Sequence, residues 1–169
     1  MKRIFALLLS AVLVMLLVVP AAAESGEPVY VSTQSFIDEL ESNDLKYTYG
    51  GMLEDGQEHV QVSFSSDNYE TIVLDAFFSK DSNTVCVYAW NLVNVTASKN
   101  FALNVMNQLN SDYFYAKFYL DESDNTVTCE MEGFYPTNKD AGFIAYNIVT
   151  KLVEIIEDDT AVAALLSLK

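Results

Sequence analysis

The chain predicts an α+β fold, a single domain in which amphipathic helices cover an antiparallel sheet. Three observations carry that expectation. Apolar residues alternate with period two through Leu45 to Val93 and again through Tyr113 to Phe134, as in half-buried strands. Three other segments repeat their apolar residues at helical spacing. The length, 169 residues of which 146 follow an N-terminal leader, suits one hydrophobic core.

The leader comes first. Lys2 and Arg3, the apolar run Ile4 to Val19, and Pro20-Ala21-Ala22-Ala23 ahead of Glu24 form the three-part build of an export signal. Cleavage is expected after Ala23, which makes residues 1–23 a signal peptide and the mature chain secreted or extracytoplasmic. The apolar run is shorter than the roughly 20 residues of a spanning helix, and the small residues that close it favour cleavage over anchoring. Residues 24–31 read as a linker, 32–157 as the domain, and 158–169 as a C-terminal helical tail.

Within the domain, Ser32-Thr33 offer N-caps to a helix whose face is Phe36, Ile37 and Leu40 and which stops at Asn43-Asp44. Four strands are expected next. Tyr47/Tyr49, Val60/Val62/Phe64, Ile72/Leu74/Ala76/Phe78 and Val85/Val87/Ala89 each line one side, and Gly50-Gly51, Ser65 to Asn68 and Asp81-Ser82-Asn83 act as punctuation. They predict an antiparallel meander. A second helix spans about Ser98 to Leu109 on Phe101, Ala102, Val105, Met106 and Leu109. A strand from Tyr113 to Leu120 then pairs through Asp121 to Asn125 with Thr126 to Phe134. Pro136, Thr137 and Asp140 open the longest helix, striped by Ile144, Ile148, Leu152 and Ile155 and interrupted at Asp158-Asp159. The order is helix, three or four strands, helix, two strands, helix.

Charge narrows the partners. The mature chain sets seven Lys and no Arg against 24 acids, a formal charge of −17. Such a surface excludes the counterion release by which proteins bind nucleic acid, and it disfavours anionic membranes. Neutral or basic partners fit it. Cys86 and Cys129 are the only thiols. In an oxidising compartment they allow one disulfide, and as residues of apolar strands they suit free buried thiols equally well.

The block Ala102-Leu103-Asn104-Val105-Met106-Asn107-Gln108-Leu109-Asn110, followed by Ala116-Lys117-Phe118-Tyr119-Leu120-Asp121, a polar-apolar strand and an amphipathic C-terminal helix, resembles the YbjN family. The likeness runs over nearly the whole mature chain. It implies a small bacterial domain of the group described as sensory transduction regulators, with a fold similar to type III secretion chaperones. Relatives of that kind are mostly cytosolic, and the export signal departs from them.

No residue set has the spacing of a catalytic, metal or phosphate site, and no cofactor is expected. His59 is the only histidine and lacks a patterned nucleophile or orienting carboxylate, so it reads as a solvent-facing strand residue. Asp121-Glu122-Ser123-Asp124-Asn125 and Glu132 match a calcium loop at four positions, but Thr126 stands where that loop needs glycine. Glu154, Glu157, Asp158 and Asp159 read as a solvated helix face. Asn94-Val95-Thr96 is a glycosylation sequon that matters only in a eukaryotic host.

The suggestive feature is aromatic. Alternation places Tyr113, Tyr115 and Tyr119 opposite the Phe114/Ala116/Phe118 face, and Tyr88 and Trp90 with Cys86 behind Val85, Val87 and Ala89. Tyr88, Trp90, Tyr113, Tyr115 and Tyr119 are therefore the expected contact residues for a protein or peptide partner, or for a second copy in a homodimer. The alternative is that helices cover both faces and these rings are structural. The expectation is a non-enzymatic, exported binding domain. The competing reading is a small-ligand receptor or enzyme whose pocket uses Tyr and Asn side chains.

Overall fold

The computed structural model describes residues 26–169, so the predicted signal and its cleavage point lie outside the described residues. The elements run α1 (Val31–Ser42), β1 (Tyr47–Met52), β2 (Gln57–Phe64), β3 (Ile72–Ser79), β4 (Thr84–Asn94), α2 (Lys99–Asp112), β5 (Lys117–Asp121), β6 (Thr126–Phe134), α3 (Ala141–Ile156) and α4 (Asp159–Leu166). The six strands form one antiparallel sheet in the order β1-β2-β3-β4-β6-β5. The α+β layout is the one the alternation predicts. The meander β1 to β4 follows the chain, whereas the β5–β6 hairpin comes back through α2 and inserts β6 beside β4.

Period-two alternation sorts the sheet into two faces. Val60, Val62, Leu74, Ala76, Phe78, Val85, Val87, Ala89, Val127 and Cys129 point to one side, where they meet Phe36 and Leu40 of α1 and Val149, Leu152 and Ile156 of α3 in a continuous core. Phe36 and Phe78 meet at 5.5 Å between ring centres. The helices α1 and α3 lie alongside each other, and Gly142 permits it: a Cβ there would overlap the backbone carbonyl of Ser35. Apolar burial on this side supplies the dominant stabilising term.

Several local expectations are corrected. α1 begins at Val31, with Tyr30 as its N-cap; Ser32 and Thr33 are buried inside the first turn. The linker assigned to residues 24–31 is held at its end, since the buried Glu58 carboxylate accepts from the backbone N–H of Val29 (2.6 Å) and Tyr30 (2.9 Å) and from the Tyr49 hydroxyl (2.5 Å). Burial alone would raise the Glu58 pKa, but these donors outweigh it and hold it below the ordinary value. The helical tail assigned to 158–169 is present as α4, and its apolar side packs into the core. Asp158 caps α4, Leu165 and Leu168 are buried, and the Leu168 carbonyl accepts from Thr96 and Ala97 N–H.

The strand predicted from Tyr113 starts only at Lys117. Tyr113 is the C-cap of α2, and the Ala116 N–H donates to the Tyr113 carbonyl at 3.2 Å, so the chain turns where alternation predicted extension. The alternation across Phe114, Ala116 and Phe118 was therefore misleading. Ala116 and Phe118 are buried, but Phe114 is 86% exposed.

Candidate partner-binding face

The second face of the sheet carries Gln57, His59 and Gln61 of β2, Val73, Asp75 and Phe77 of β3, Cys86, Tyr88 and Trp90 of β4, Thr128, Glu130 and Glu132 of β6, and Lys117 and Tyr119 of β5. Among the described residues no helix covers it. Cross-strand register converts this list into a ladder. His59 stacks on Phe77 at 4.9 Å, Phe77 meets the edge of Tyr88 at 5.7 Å, and Tyr88 stacks on Trp90 at 4.5 Å with the rings 8° from parallel. Rings drawn from three strands thus form one continuous aromatic track.

His59 is not the plain solvent-facing residue its position suggested. Its Nε2 lies 2.6 Å from Asp75 Oδ1, and Gln61 Nε2 donates to the same oxygen at 2.9 Å. The other ring nitrogen lies over Gly50 of β1, where a Cβ would overlap it. A bulge follows at Gly51, whose φ of 82° is a left-handed conformation suited to glycine. Asp75 is nearly buried. Burial would raise its pKa, but the hydrogen bonds from His59 and Gln61 prevail and the value is lowered. Asp75 holds the Nε2 side of the ring and Phe77 stacks on its plane, so the cluster fixes one end of the aromatic track.

Three of the five expected contact residues, Tyr88, Trp90 and Tyr119, stand on this face. The other two do not. Tyr113 packs toward α4, its hydroxyl donating to Asp158, and its ring contacts Phe118 at 6.2 Å. Tyr115 is 71% exposed beside α3, stacked edge-on with Phe114 at 5.3 Å. Both corrections have the same origin, the turn that follows α2. Cys86 and Cys129 are free thiols. Cys86 lies on the open face opposite Phe77, and Cys129 points into the core opposite Ala89, so alternation separates them. Burial pushes both thiols above the ordinary value.

Carboxylates fringe the track. Glu130 pairs with Lys117 at 3.2 Å, while Glu132 has no cation within ion-pair distance among the described residues. Burial is the first cause that lifts the Tyr88 hydroxyl, to about 12, with Cys86 and Glu130 adding to it. Tyr88 therefore stays a neutral donor on this face. Among the described residues no group of three or more His, Cys, Asp or Glu side chains is arranged to hold a metal ion. No described helix is long and apolar enough to cross a membrane.

Sequence reasoning missed the His59–Asp75–Gln61 cluster. The residues that form it are spread over 16 positions on two strands, and only the β2–β3 register brings them together. The chain matches no protein-family model, no curated protein and no solved structure.

Proposed function

We propose that this is an exported binding domain of the YbjN kind, non-enzymatic, which docks a partner protein on the open face of its sheet. The observation that carries the reading is the aromatic track His59-Phe77-Tyr88-Trp90, uncovered among the described residues and bordered by Glu130 and Glu132. Tyr and Trp give large contact area at small entropic cost, which suits a docking surface. The formal charge of −17 after residue 23 and the acidic fringe select the occupant, a segment bearing Lys or Arg whose cations lie over the Tyr88 and Trp90 rings.

Trp90 is the only tryptophan, so emission excited beyond the tyrosine absorption band reports on this face alone. Titration with a peptide alternating Lys and Tyr should change Trp90 emission saturably, and Tyr88→Ala should weaken the apparent affinity by about ten-fold or more. An unchanged emission at millimolar peptide would reject a basic partner. Concentration-dependent emission without peptide would instead assign the face to a second copy of the chain.

A further inference from the structure

The two neighbouring strands at one side of the sheet end their edges differently. β5 is the last strand, and its outward backbone groups at Phe118 are covered: the Asn110 side chain of α2 donates to the Phe118 carbonyl at 2.9 Å and accepts from the Phe118 N–H at 2.6 Å. One amide thereby stands in for a neighbouring strand. β5 is short, however, and its pairing with β6 stops at Lys117 opposite Glu130. Beyond that point β6 continues through Met131, Glu132, Gly133 and Phe134 with β4 on one side only.

The hydrogen-bond alternation says which groups are left over. The Tyr135 N–H donates to the Asn83 carbonyl, which places Gly133 and Met131 in the pairs that bond to β4. Glu132 and Phe134 then turn their N–H and C=O groups outward, into the space β5 would fill had the chain not turned at Tyr113 to Ala116. This bare edge opens into a groove of about 450 Å³ between β6 and α3, lined by Tyr115, Met131, Ile144, Asn147, Ile148 and Lys151. Phe134 and Phe143, 66% and 62% exposed, belong to the same two elements. Natural proteins normally protect such edges, so an unprotected one walled by a helix has the form of a strand-addition site.

We propose that the β6 edge at Glu132 and Phe134 accepts an added strand from another protein, in line with β5. The chemistry of that strand follows from the two sides it must satisfy. Alternate side chains enter the groove against Ile144, Ile148 and Met131 and are apolar. The intervening ones lie on the open side beside Glu132, whose carboxylate has no partner cation among the described residues, and are Lys or Arg. The Lys151 ammonium is engaged by Glu154 at 2.9 Å and does not neutralise Glu132. A second copy of this acidic chain fits less well than a basic segment. The site stands independently of the aromatic track, because its recognition groups are backbone amides and the α3 wall.

The test uses a short peptide alternating Val and Lys, with a version carrying N-methyl groups along one edge as control. Amide hydrogen exchange should slow at Glu132 and Phe134 on addition of the first peptide and stay unchanged with the second. Asn147→Trp, an exposed position that fills the groove without touching the core, should weaken binding by about ten-fold or more. Glu132→Pro removes an outward N–H and no bond to β4, and should do the same. Equal binding of the N-methylated peptide, protection absent at millimolar peptide, or protection that grows with protein concentration alone would each overturn the proposal, the last by assigning the edge to self-pairing. Tyr88→Ala should leave this binding intact, so failure here is separable from failure of the aromatic face.

Discussion

The two faces of this sheet are built from the same strands and use their residues in opposite ways. On the covered face the core residues are aliphatic side chains with Phe78 and Cys129, buried, and contacted by α1 and α3. On the open face rings stack on one another, and the Asp75 carboxylate is satisfied within the face by His59 and Gln61. The first arrangement needs a helix above it to exclude water. The second shields itself, since the track buries its own lower members and leaves Trp90 with 40% of its surface exposed. A face that is ordered before anything lands on it loses little entropy on binding.

The comparison breaks most visibly on the covered side. Phe78→Ala removes a fully buried ring that contacts Phe36, and should cost about 3–5 kcal/mol in a urea melt. A loss below 1 kcal/mol there would mean that the core is not organised around the α1 contact.

Glu58 tests a polar device at the border of that core. Glu58→Ala leaves the Val29 and Tyr30 amides and the Tyr49 hydroxyl without their acceptor, and should cost about 3 kcal/mol while freeing the segment before α1 to limited proteolysis. The same group predicts acid sensitivity. Glu58 and Asp75 both titrate below their ordinary values of 4.5 and 3.8 in the folded chain. A carboxyl with a depressed folded pKa contributes stability that is complete above its unfolded pKa and is lost as pH falls through the folded one. Stability should therefore be flat near neutrality and decline below about pH 4.5, and Glu58→Gln should flatten part of that decline. Melts across pH 2 to 7 decide it.

Much of this division was legible in the sequence, and the exceptions are instructive. Val60/Val62, Leu74/Ala76/Phe78 and Val85/Val87/Ala89 alternate without interruption, so both the strands and their buried side could be read directly. Tyr88, Trp90 and Tyr119 were legible as second-face aromatics for the same reason. The segment Tyr113 to Ala116 was not, because an alternating aromatic run and a helix cap followed by a turn have the same composition. Only the Ala116 to Tyr113 hydrogen bond separates them. His59 with Asp75, Asn110 with Phe118 and Glu58 with Val29 are pairings across registers or between elements, and one chain read alone carries no register.

Gly50 sharpens the account of the open face. Gly50→Ala would drive a methyl into the His59 ring and displace it from Asp75 and Phe77, at a cost of about 1–2 kcal/mol. The diagnostic readout is Asp75: with its donor moved away, its carboxyl should titrate nearer the ordinary value, visible by NMR.

The smallest stability effect belongs to the residue with the largest proposed role in binding. Trp90 stacks on Tyr88 and is partly exposed, with no helix above it among the described residues. Trp90→Ala should therefore lower stability by about 1 kcal/mol, the scale of one aromatic pair, and well short of the cost of emptying a core site. Association with a Lys-bearing partner should fall much further, by about 2 kcal/mol or more if the ring is an anchor. Urea melts and partner titrations followed by calorimetry, run on the same variant, give two numbers whose ratio is the test. A stability loss of core size with unchanged association would place Trp90 in the structural class with Phe78, and the two faces would then differ in composition alone.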